Sequence, residues 1–112
     1  MSEELKKYIK TKEEETAKEF KKKFAPFKRE TINLLLLDIK KKGGVTIEFA
    51  EAHIESLMGS GEDYPSTLIE KLIKAELVEE NSGVLFLTPK GQIVASLFER
   101  KLKRQLKREL TS

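Results

Sequence analysis

Residues 65–91 read PSTLIEKLIKAELVEENSGVLFLTPKG, and the order of signals in this stretch decides the fold. Pro65 suits the first turn of a helix, because the amide hydrogen it lacks would be unbonded there anyway. Leu68, Ile69, Leu72 and Ile73 follow at three- and four-residue spacing, which predicts a helix laid on a core as far as about Glu76. Leu77–Glu80 and Val84–Leu87 read as two strands joined at Asn81-Ser82-Gly83, a hairpin-type turn. Thr88-Pro89 then opens another helix, with a hydroxyl cap followed by proline in the first helical position. That helix carries Ile93, Val94, Leu97, Phe98, Leu102, Leu106 and Leu110 towards the C-terminus.

Upstream, Gly59-Ser60-Gly61-Glu62-Asp63 reads as a turn. Before it, Phe49, Ala50, Ile54 and Leu57 recur at helical spacing over Glu48–Leu57, with Thr46 or a neighbour as the cap. Val45-Thr46-Ile47 is a short extended piece. Phe27–Lys42 holds Ile32, Leu34–Leu37 and Ile39, too many apolar residues for one narrow face, so this helix is expected to be buried on most sides. Gly43-Gly44 stops it. The first segment, Ser2 to Ala25, is a polar helix with Ser2 as its cap and a thin stripe of Leu5, Tyr8, Ile9, Ala17, Phe20 and Phe24; Pro26 ends it.

This succession resembles the winged helix-turn-helix superfamily. Pro65–Val78 (PSTLIEKLIKAELV) looks like the recognition helix and first wing strand of archaeal-type MarR- and PadR-like transcription regulators. Leu85–Gly91 (LFLTPKG) is similar to their wing exit, and Val45–Ala52 (VTIEFAEA) to their strand and second helix; the likeness spans residues 30–98. It implies an α+β, mostly α fold: a winged helix with a two- to three-stranded wing sheet and long N- and C-terminal helices. It also implies a regulator that binds double-stranded DNA as a homodimer. Ser66, Thr67, Glu70, Lys71 and Lys74 stand at the positions that would face the major groove. Four features depart from the pattern: Glu76 where glycine is common, the apolar Ile73, the longer turn Met58–Tyr64, and a wing of Glu79, Glu80, Asn81 and Ser82 without lysine or arginine.

A chain of 112 residues is expected to be one domain. Residues 1–25 would form a helical extension, 27–91 the winged-helix core, and 92–112 a terminal helix for dimerisation. With no cysteine and one histidine, His53, the sequence offers no disulfide and no multi-ligand metal site. There is no nucleophile elbow or phosphate loop, so no catalytic residue and no cofactor is expected, and the chain is read as no enzyme. It has neither a signal-peptide core nor a membrane-length apolar run, and a cytoplasmic protein is expected. Eighteen lysines and seventeen glutamates against two asparagines and two glutamines give a thermophile-like composition.

Charge is segregated behind a net of +3. Residues 1–42 carry +5, residues 43–89 carry −7, and residues 90–112 carry +5. Phosphate binding requires cations where the backbone runs. The expected DNA contacts are therefore Ser66, Thr67, Lys71 and Lys74 on the third core helix, Lys90 at the start of the last helix, and Arg100, Lys103 and Arg104 along it. The expected dimer interface is Phe20, Phe24, Leu97, Phe98, Leu102 and Leu106. The leucines drift around the helix at four-residue spacing, which favours packing on the first helix over a regular coiled coil. The alternative to DNA binding is a winged-helix module that presents an acidic or apolar face to a basic protein partner. The remaining charged groups, the Lys21–Lys23, Lys28 and Arg29 cluster and the carboxylates Glu48, Glu51 and Glu55, read as solvated helix surface, and His53 as a half-exposed packing residue.

Overall fold

A computed structural model describes residues 3–24, 26–58 and 64–111. Five helices and three short strands follow in the order α1 (Glu3–Lys23), α2 (Pro26–Lys42), β1 (Val45–Thr46), α3 (Ile47–Met58), α4 (Pro65–Lys74), β2 (Val78–Asn81), β3 (Val84–Leu87) and α5 (Pro89–Thr111). The class is α+β, mostly helical, with one antiparallel three-stranded sheet ordered β1-β3-β2.

α2 is the central helix. Ile32, Leu35, Leu36, Leu37 and Ile39 are all buried in it. A helix apolar on most sides must be covered on most sides, and α1, α3, α5 and β3 all pack on α2. The core continues through Ala50 and Ile54 of α3, Leu68, Ile69 and Leu72 of α4, Leu85 of β3, and Val94 and Ala95 of α5. α1 belongs to the same core through Phe20 and Phe24, whose rings meet at 5.5 Å. That burial corrects one expectation: Phe20 and Phe24, expected at a dimer seam, are buried inside their own chain.

Local chemistry sets the element ends. Thr46 Oγ1 accepts the Phe49 amide at 3.1 Å, capping α3. Gly43, at φ 76°, closes α2 by donating its amide to the Ile39 carbonyl at 2.8 Å. The hairpin turn has Ser82 and Gly83 at φ 52° and 80°, two successive positive values as a two-residue type I′ turn requires. Val78, Glu79, Glu80 and Asn81 pair with Leu87, Phe86, Leu85 and Val84.

α4 stops at Lys74, two residues short of expectation, and β2 starts at Val78 instead of Leu77. The cause is a Schellman close. Glu76 turns left-handed at φ 61°, its amide bonds the Ile73 carbonyl at 3.0 Å, and the Leu77 amide reaches back to Leu72 at 3.0 Å. Leu72 and Leu77, the apolar pair that accompanies this motif, are both buried. The other element boundaries fall within two residues of the sequence reading. The Ser2 cap and the turn at residues 59–63 lie outside the described residues.

Candidate functional site

α4 presents one apolar and one polar side. Leu68, Ile69 and Leu72 are buried, while Ser66, Glu70, Lys71 and Lys74 are exposed and Thr67 is half-buried. Tyr64 precedes the helix without a side-chain cap, and Pro65 takes the first position. Pro65 has no amide hydrogen and the Thr67 amide bonds the Tyr64 carbonyl at 3.0 Å, so in this turn the Ser66 amide is the one at the positive end of the helix dipole without a backbone partner. Ile73 is not on that polar side; it is partly buried against the core. Beside α4, the hairpin exposes Glu79, Glu80, Asn81 and Ser82. The polar side of α4 is thus weakly cationic and its neighbour is anionic.

A joint connects this region to α5. Thr88 Oγ1 accepts the Gly91 amide at 3.1 Å, capping α5, and donates its own hydrogen to the Glu76 carbonyl. The Thr88 amide bonds the Leu77 carbonyl at 3.2 Å. Gly91 crosses the same carbonyl so closely that a Cβ there would fall far inside van der Waals contact distance of its oxygen. The TPKG run thereby fastens the end of α4, the base of the hairpin and the start of α5 to one another.

Lys90 sits at this joint between two carboxylates, Glu76 at 3.3 Å and Glu19 of α1 at 3.6 Å. Its hydrogen bond to Glu76, and then the charge of Glu19, hold its ammonium above the usual lysine range. Expected to meet phosphate, Lys90 is instead occupied within the chain. Ten residues on, about 15 Å along the helix, Arg100 donates to Glu13 of α1 at 3.1 Å. Lys103 lies 3.9 Å from Glu99, and Glu99 is bonded by Lys40 of α2 at 3.1 Å. That hydrogen bond, with the nearby charges of Lys40, Lys103 and Lys41, holds the Glu99 carboxyl below the usual carboxylate range. Of the four α5 cations expected at DNA, Lys90, Arg100 and Lys103 are ion-paired and Arg104 lines a groove.

That groove runs between α1, α2 and α5. Half-buried Leu97, Phe98 and Leu102 lie on it, so three residues expected at a dimer seam form the wall of a concave surface. Leu106, further along α5, is 57% exposed. By spacing alone Lys21 and Arg29 read as a solvated helix end, and nothing in that spacing tells that they line one groove with Lys101 and Arg104.

His53 packs 6.2 Å from the Phe49 ring and places Nδ1 3.4 Å from Asp38 of α2, which ties α3 to α2. Among the described residues no group of three or more His, Cys, Asp or Glu side chains could hold a metal ion. No helix among them is long and apolar enough to cross a membrane. Comparison with family models, with curated proteins and with solved structures finds no match.

Proposed function

We propose that this chain is a winged-helix DNA-binding protein, a transcription regulator or architectural binder, with α4 as the helix that enters the major groove. The observation that carries the reading is α4 itself. It buries Leu68, Ile69 and Leu72 and turns Ser66, Thr67, Lys71 and Lys74 outward, directly before a hairpin whose β3 pairs with both β2 and β1. The order α2-β1-α3-α4-β2-β3-α5 supports the winged helix-turn-helix reading. In this reading the Ser66 and Thr67 hydroxyls and the Ser66 amide meet phosphate oxygens, and Lys71 and Lys74 neutralise backbone charge. No arginine or asparagine on α4 offers a bidentate base contact, so affinity comes mainly from phosphate.

A second copy belongs to the reading. The ion pairs Glu19–Lys90 and Glu13–Arg100 run α1 antiparallel to α5. They carry Leu5 and Ile9 towards the end of α5 where Leu106 and Leu110 are exposed. This two-helix arm is the dimer seam.

Anisotropy of a labelled random duplex tests the proposal. Binding in the micromolar range or tighter should weaken steeply with salt. Lys71→Gln/Lys74→Gln should weaken it at least tenfold and lower the salt slope by about two. Unchanged affinity in that double variant would remove α4 from the groove. One observation favours the second reading, a protein-binding module: the exposed Glu79 and Glu80 beside α4 repel phosphate and suit a basic partner. No duplex binding at low salt would make that reading the working one.

A further inference from the structure

DNA binding by α4 leaves the groove between α1, α2 and α5 without a use. Its floor is apolar, formed by Phe20 of α1, Leu34 of α2, and Val94, Leu97, Phe98 and Leu102 of α5. Among the described residues its rim carries five cations, Lys21, Arg29, Lys101, Arg104 and Arg108, against the single carboxylate of Glu30. Glu13 meets Arg100, Glu19 meets Lys90 and Glu99 meets Lys40 across these helices, all outside the groove's lining. The positive excess is concentrated around the apolar floor.

We propose that this groove is the docking site for an acidic amphipathic helix of a partner protein. Three considerations lead there. The first is shape. The groove has a volume of about 1100 Å³, above the roughly 300–1,000 Å³ typical of small-molecule sites. Its walls are helices, and a further helix can seat its ridges between theirs at about 8–10 Å.

The second consideration is charge. An occupant that buries apolar residues on this floor brings its flanks against Lys21 and Arg29 on one side and Lys101, Arg104 and Arg108 on the other. Glutamate or aspartate flanks are attracted there and lysine flanks repelled.

The third is the exclusion of a second copy from this groove. A two-fold arrangement sets one cationic rim against the other. The chain's own acidic helix, α3 with Glu48, Glu51 and Glu55, has Ala50 and Ile54 buried in its own core, so its main apolar side is already spent. The dimer arm uses Leu5, Ile9, Leu106 and Leu110, none of which lines the groove, so dimerisation and partner docking are compatible.

The test uses the full chain and three labelled synthetic peptides of about five helical turns. One is an acidic amphipathic helix with leucines at three- and four-residue spacing and glutamate flanks. The second replaces those glutamates with lysine, and the third has the composition of the first with central prolines that prevent a helix. The acidic helix should bind at least tenfold tighter than either control, with an affinity that falls as salt rises. Lys101→Glu/Arg104→Glu should weaken it at least tenfold. Both residues are exposed, so that variant should melt like the parent. Equal binding of the acidic and lysine peptides overturns the proposal. So does charge reversal that weakens duplex binding when the acidic peptide does not bind, which gives the rim to phosphate. A stable dimer in sedimentation that leaves the peptide unbound gives the groove to a second copy and overturns it as well.

Discussion

The two ends of α5 are determined to opposite degrees. Near its start, Thr88 caps the helix and also bonds the Glu76 carbonyl, Lys90 lies between Glu19 and Glu76, and Gly91 presses on the Leu77 backbone. Past Glu99 the same helix has only half-buried Leu102, while Leu106 and Leu110 are 57% and 86% exposed. Both ends are helical for different reasons. The start is held by backbone contacts that admit few alternatives. The far end is helical because lysine, arginine, leucine and glutamine are strong helix formers, with little core beneath them. A stretch fixed from all sides transmits position, here from α4 to the terminal helices. A stretch held mainly by its own propensity and by surface ion pairs leaves its apolar side chains open to another surface.

Gly91→Ala gives the sharpest contrast and the largest effect. Alanine in place of glycine within a helix is ordinarily worth up to about 1 kcal/mol of added stability. Here the new Cβ meets the Leu77 carbonyl oxygen, a backbone atom that moves only with the turn after α4. The clash should win, with a net loss of about 3 kcal/mol or more, read by urea or thermal unfolding. A neutral Gly91→Ala would mean that the joint is as loose as the distal helix and would remove the contrast.

Glu76→Gly tests the same joint with the opposite sign. Glu76 holds φ 61° in the Schellman position, where a side chain costs roughly 1–2 kcal/mol relative to ordinary backbone. Glycine removes that strain but enlarges the unfolded ensemble. It also loses the Lys90 contact, which is worth little because the Glu76 side chain is 73% exposed. Stability should rise by about 0.5–1 kcal/mol. A destabilised variant would show that the Lys90 link outweighs the strain.

These residues also mark how far the sequence could be read. Thr88-Pro89 and Thr46 announced two helix starts, Gly43 one helix end, and Asn81-Ser82-Gly83 the hairpin, because caps and turns depend on neighbours a few residues apart. Glu76 stood out as a departure from the usual glycine; its consequence, α4 ending at Lys74, lay in backbone geometry that the apolar periodicity of 68–73 does not encode. On the polar side of α4, Ser66, Thr67, Lys71 and Lys74 were legible because helical spacing separates them from Leu68, Ile69 and Leu72. Long-range partners were not legible. Lys90 and Arg100 read as open cations, and only the docking of α1 brings Glu19 and Glu13 to them. Phe20 and Phe24 read as a dimer seam and lie in the chain's own core, since periodicity says that a face is covered without saying by what. The groove needed residues 20, 34 and 97 brought together, which is tertiary information.

Leu110→Ser should have the smallest effect, and it probes the other side of the contrast. The residue is 86% exposed on the last turns of α5, so in dilute protein little apolar contact is lost and the change should stay within about 0.5 kcal/mol. The dimer arm adds a dependence on concentration. If Leu5, Ile9, Leu106 and Leu110 of one copy are covered by those of another, the folded dimer is stabilised by mass action, and the parent melting temperature rises with protein concentration. Leu110→Ser should flatten that rise while leaving the dilute value unchanged. Melting curves over a hundredfold range of concentration separate the possibilities. Parallel, flat curves would mean that the arm has no second copy on it. Curves that diverge only at high concentration would mean that the loosely determined end of α5 is completed by its twin.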